Sequence, residues 1–145
     1  MNLEHRPYYE GESPEVCREI QERMYLYRPQ LIVWNEMPFT TLFQLQLFKA
    51  KLREITQTGG QYVMVVNLTK THRAGSAYRA ELVRFIKSNK GVITKYYLAT
   101  GSIRIINICV ELVAKVAGIY DAELHGTFEQ ALERAERHEA VALLK

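Results

Sequence analysis

Gln61-Tyr62-Val63-Met64-Val65-Val66-Asn67-Leu68-Thr69-Lys70-Thr71-His72-Arg73-Ala74-Gly75-Ser76 is the stretch that decides the fold. Residues 62–66 are β-rich and apolar without alternation, which suits a strand covered on both faces in the middle of a sheet. The loop after it carries Lys70, His72 and Arg73, and Ser76 then stands where a helix N-cap belongs. Beyond Ser76, Tyr78, Leu82, Phe85 and Ile86 share one helical face, with Arg79, Arg84 and Lys87 off it. Strand, loop and helix in that order place the loop beyond the carboxyl end of a strand, where α/β sheets receive ligands and partners.

Upstream, Leu42, Leu45, Phe48, Leu52 and Ile55 recur every three or four positions, so a helix runs to about Gln57 and Gly59-Gly60 ends it. Thr41 and Gln44 have capping-box spacing at its start. Residues 22–27 alternate, Arg28-Pro29-Gln30 turns the chain and Leu31-Ile32-Val33-Trp34 follows, which reads as a hairpin over 22–36. Residues 1–21 form a lead-in with at most a short helix, starting at Ser13-Pro14-Glu15.

Downstream, residues 92–99 read as a strand. Residues 102–117 favour strand on propensity, yet their polar positions, Arg104, Asn107, Glu111 and Lys115, line up only on a helix. The apolar arc of that helix is wider than one sheet face needs, so Ile103, Ile106, Val110 and Val113 are expected to meet a partner, the last helix or an apolar ligand. It is no membrane span: about fifteen residues at ~1.5 Å each fall short of a ~30 Å hydrocarbon core. Residues 119–124 read as a short last strand. Thr127 and Gln130 open a final helix, which residues 139–145 extend. The expected order is β-β-α-β-α-β-α-β-α in one α/β domain over 22–138.

Hydrophobic residues at 48% and charged residues at 24% sit in the ordinary range of soluble domains and indicate neither a disordered nor a membrane protein. The net charge of +3 is uneven: within residues 61–100, seven cations face only Glu81, leaving the rest of the chain net negative. Such a patch attracts anionic groups, although a solvated helix face explains it equally well. Cys17 and Cys109 are far apart, no signal sequence opens the chain, and His5, His72, His125 and His138 lack ligand spacing. The expectation is a cytoplasmic protein without metal, cofactor or disulfide.

The element order, the hairpin over 23–34, the run 62–68, the Ala99-Thr100-Gly101-Ser102 lead into an apolar helix and the closing Thr127-Phe128-Glu129-Gln130-Ala131-Leu132 resemble the STAS domains. The resemblance is to the SpoIIAA-like (STAS/SEC14-like) group and covers about residues 22–137. It implies a mixed sheet with helices mainly on one face, and regulation through protein contacts rather than catalysis. In the anti-sigma-factor antagonists of that family a serine at the start of the second helix is phosphorylated, and Ser76 matches that position. This chain departs from their pattern at Asn67 and Ala74, where acids are common, and has one serine rather than two.

Candidate binding residues are therefore Thr69, Lys70, Thr71, His72, Arg73, Ser76 and Arg79, with recognition of an anionic group as the expected chemistry. No nucleophile is spaced with a base and no phosphate-binding glycine loop occurs, so an enzyme is not expected. Three function classes stay open. The first, and the favoured one, is a STAS-type protein-interaction module in bacterial signalling, with a homodimer among its options. The second is a carrier or sensor of an apolar ligand such as a lipid. The third is nucleic-acid binding, which is disfavoured because Tyr96 and Tyr97, the aromatics available for stacking, fall in a buried strand.

Overall fold

The structure, a computed structural model, describes residues 2–72, 74–101, 104–119 and 122–138, with Arg104 and Ile105 described by backbone alone. The elements in chain order are α1 (Pro14–Gln21), β1 (Met24–Arg28), β2 (Leu31–Asn35), α2 (Leu42–Thr56), β3 (Tyr62–Asn67), α3 (Ser76–Ser88), β4 (Ile93–Ala99), α4 (Arg104–Ala117), β5 (Glu123–His125) and α5 (Phe128–Glu136). The strands form one five-stranded sheet in the order β1-β2-β3-β4-β5. β1 runs antiparallel to β2 and the other pairings are parallel. The protein is thus α/β with a mixed sheet, and β3 is its central strand as expected.

β3 lacks a polar face because neither face meets water. Tyr62, Met64 and Val66 join a cluster with Ile20 of α1, Phe48 of α2, Phe85 of α3 and Ala117 of α4. Val63 and Val65 point the other way, against Ala131 and Ala135 of α5. Among the described residues, four helices therefore cover one face and α5 alone the other. Full burial of each such valine is worth on the order of 1.5–3 kcal/mol.

The lead-in belongs to this core. Ser13 caps α1 by accepting from the Val16 N–H at 3.2 Å, Pro14 occupies the first turn, and Leu3, Tyr8, Val16 and Ile20 are buried. The expected capping box at α2 is only half formed. Thr41 Oγ1 accepts from the Gln44 N–H at 3.1 Å, but the Gln44 side chain accepts from the Tyr8 N–H at 2.8 Å and donates to the Phe39 carbonyl at 2.6 Å. Gln44 is fully buried, so both ends of its amide need partners, and the lead-in supplies one that a surface capping box would not.

The last strand is shorter than expected. Gly118, at φ 78°, closes α4, and the Ile119 N–H bonds back to the Ala114 carbonyl at 2.8 Å. Ile119 thereby serves a helix C-terminus and not a ladder. At α5 both halves of the capping box form: Thr127 Oγ1 accepts from the Gln130 N–H and Gln130 Oε1 from the Thr127 N–H. The expected helix residues 102 and 103, strand residues 120 and 121 and the extension over 139–145 lie outside the described residues. Among the described residues no helix is long and apolar enough to cross a membrane.

Candidate functional site: an apolar cavity at the carboxyl ends of the parallel strands

β2, β3 and β4 end side by side at Asn35, Asn67 and Ala99. Asn67 organises the chain there. Its Nδ2 donates to Asn35 Oδ1 at 2.9 Å, and its Oδ1 accepts from the N–H and hydroxyl of Thr69 at 3.2 and 2.7 Å. This local side-chain bonding turns the backbone out of the strand. The Leu68 N–H bonds the Ala99 carbonyl at 2.7 Å, Thr71 Oγ1 donates to the Met37 carbonyl at 3.2 Å, and the His72 N–H reaches the Pro38 carbonyl at 2.9 Å. The His72 ring stacks on Phe39 with centroids 4.7 Å apart. The loop is thus tied down on the segment that follows β2.

Of the loop residues singled out from the sequence, Thr71 is buried, Thr69 and Arg79 are half-buried, and Lys70, His72 and Ser76 are exposed. Arg73 lies outside the described residues. Lys70 pairs with Glu4 at 3.3 Å on the surface, an interaction worth little. Arg79 donates to the Ala74 carbonyl at 3.1 Å. The expectation that Ser76 caps α3 is corrected: Gly75, at φ −70° and ψ 165°, is the N-cap, and no side chain among the described residues caps the helix. Glycine at that position costs only a few tenths of a kcal/mol relative to serine, so Ser76 becomes the first helical residue with its hydroxyl unneeded by the fold.

Beneath the loop lies a cavity of about 100 Å³. Its walls are Val66 and Leu98 of the sheet, Leu82 and Ile86 of α3, and Ile106, Val110 and Val113 of α4. Thr71, His72 and Arg79 line it from the loop side. Thr71, His72 and Arg79 from one set chosen in the sequence therefore meet Ile106, Val110 and Val113 from the other at one site, whereas Thr69, Lys70 and Ser76 do not line it. Ile103 lies outside the described residues. The ridge of α4 that faces water is a different one, Ile108, Leu112 and Val116, each more than half exposed.

A buried carboxyl also belongs to the cavity lining: Glu36, 4% exposed, one residue beyond β2. Its Oε2 accepts the Tyr78 hydroxyl proton and its Oε1 accepts from the Met37 N–H at 2.8 Å. Arg23 does not reach the carboxyl; it donates to the Asn35 and Glu36 carbonyls at 3.0 and 2.9 Å. Burial pushes the Glu36 carboxyl up to about 7, against the pull of Tyr78, the Met37 N–H and the Arg23 charge. Tyr78 is raised too, by burial first and then by the Glu36 charge and hydrogen bond. Trp34, 3% exposed, lines the same cavity, and its buried Nε1 has no hydrogen-bond partner among the described residues.

Linear spacing hides this pair, since Glu36 and Tyr78 are forty-two positions apart. The available signal is a charged residue placed directly after a fully apolar strand, where the chain has not yet left the core. Among the described residues no group of three histidine, cysteine or acidic side chains is placed to hold a metal. No protein-family model matches the sequence, and no curated protein matches it.

Proposed function

We propose that the protein is a non-catalytic binding module whose cavity takes a small apolar molecule and whose loop over residues 68–75 reports its presence to a partner. The observation that carries this reading is the convergence of Thr71, His72 and Arg79 with Ile106, Val110 and Val113 on one apolar cavity at the carboxyl ends of the strands. The volume favours a small ring or a short chain over a lipid, because about 100 Å³ is on the scale of, and somewhat below, the ~150 Å³ of an engineered apolar cavity that takes benzene. Trp34 is the only tryptophan and lines the cavity, so its fluorescence reads occupancy directly. Titration with toluene should change that emission saturably in the native chain and not in Ala114→Leu, which fills the cavity. Absence of saturation in the native chain, or identical curves in both, removes the reading.

A second reading, a STAS-type interaction module without a ligand, is supported by the exposure of Lys70, His72 and Ser76 on one loop. The Ser76 hydroxyl, exposed in the first turn of α3, would carry a phosphate in a favourable field. The exposed ridge of α4 offers a homodimer surface. A cytoplasmic setting fits this reading, with Cys17 and Cys109 both free and half-buried.

A further inference from the structure

We propose that two copies of the chain pair through α4, antiparallel and two-fold related about Leu112, with Glu111 of each copy set against Lys115 of the other. The pairing rests on the second reading above, in which the α4 ridge meets a copy, and adds the orientation and the charges that fix it.

Ile108, Leu112 and Val116 stand four apart and so form one ridge along the helix, each more than half exposed. The rest of the apolar arc is already used: Ile106 and Ala117 are buried, and Val110 and Val113 pack on the core. The ridge is therefore the part of the arc that packing within the chain leaves in water. Leu124 of β5, 37% exposed, adds to it at the sheet edge. It is in register with Leu98, which shares a cluster with Ala117 of α4, so it lies on the α4 side of the sheet.

Glu111 and Lys115 run beside this ridge, three positions after Ile108 and Leu112, and both are exposed. Within the span of the ridge one acid and one base leave no net charge, so the surface draws neither an acidic nor a basic partner by its field. It is instead its own complement. Reversed about Leu112, a second α4 brings Val116 of the other copy beside Ile108, and Lys115 of the other copy within reach of Glu111. A parallel pair would set Glu111 on Glu111 and Lys115 on Lys115, and like charges in contact destabilise. Ridges of residues four apart cross at about −50°, which confines the contact to the middle of the helix. Such a contact falls below the roughly 800 Å² per partner of a lasting complex, so the dimer forms and dissociates with concentration.

The test is sedimentation of the full chain, of Glu111→Lys, of Lys115→Glu and of an equal mixture of the two variants, up to about 1 mM. The native chain should dimerise reversibly. Each variant alone gathers four like charges at the contact, and its dissociation constant should rise about tenfold or more. The mixture sets lysines against glutamates again and should return to the native constant as a mixed dimer. Native dimerisation should also weaken as salt is raised from about 0.05 to about 1 M, a comparison that needs no variant. Equal dimerisation of the native chain and both variants, or a native dimer that tightens with salt, overturns the antiparallel charge pairing and leaves the ridge as a contact between copies. A native chain that stays monomeric at about 1 mM overturns both and frees the ridge for a different partner.

Discussion

Glu36→Gln should change how stability depends on pH, because a buried carboxyl without an ion-pair partner is held nearer its neutral form. The Glu36 side chain is pushed from 4.5 to about 7 by burial. Between those values the folded chain keeps a proton that the unfolded chain releases, so stability falls as pH rises through the interval. At ~1.36 kcal/mol per pH unit, the loss is about 3 kcal/mol, complete just above neutrality. The glutamine variant cannot ionise and escapes this fall. It loses one of the two hydrogen bonds from Tyr78 and the Met37 N–H, a cost of about 1 kcal/mol that does not vary with pH. Glu81 and Glu123, whose carboxyls are held below the usual range by Lys49 and Arg84 and by Arg134, shift both proteins alike and cancel in the comparison. Urea unfolding at about pH 5, 6, 7 and 8 reads the difference. The native chain should lose stability relative to the variant on going up the series. Parallel profiles would refute the argument and mean that the carboxyl is solvated or paired in solution.

Thr41→Ala should destabilise by about 2 kcal/mol, since it removes the cap of α2 and the 2.6 Å bond from its hydroxyl to the Tyr8 carbonyl; denaturant unfolding checks this, and a loss under 0.5 kcal/mol would show that the lead-in is not tied to the core. Ser76→Asp should leave stability within about 0.5 kcal/mol, because the hydroxyl caps nothing, and on the interaction reading it shifts affinity for a native partner in a pull-down. Leu112→Glu should reduce association in sedimentation if the ridge of Ile108, Leu112 and Val116 pairs between copies; unchanged sedimentation would clear that ridge of the role.

Where side-chain pattern and local chemistry coincide, the fold was legible from the sequence. Residues 62–66 demanded two covered faces and received them. The polar row Arg104, Asn107, Glu111 and Lys115 outvoted the β propensity of its isoleucines and valines, and α4 is a helix. Thr127 with Gln130 formed its box on an exposed turn, where no buried partner competes. Thr41 with Gln44, the same spacing in the interior, did not, because burial made the glutamine amide seek Tyr8 and Phe39. Ser76 lost its capping role to Gly75 through a boundary difference of one residue, which residue types alone do not resolve. The site was half legible: charge and strand-to-helix order led to the loop, and the wide apolar arc led to α4. Their meeting, and the placing of Glu36 with Tyr78 between them, depends on packing across three elements and leaves no mark in linear spacing.

The most direct measurement is a methyl-resolved NMR titration of the full chain with toluene. A ligand in the cavity should shift the methyls of Val66, Leu68, Leu82, Leu98, Ile106, Val110 and Val113, which line it. Those of Val63 and Val65, on the α5 side of the sheet, should stay where they are. Shifts centred on the exposed ridge of Ile108, Leu112 and Val116, or no saturable shift at all, would contradict the claim that the protein is built around a ligand-binding cavity.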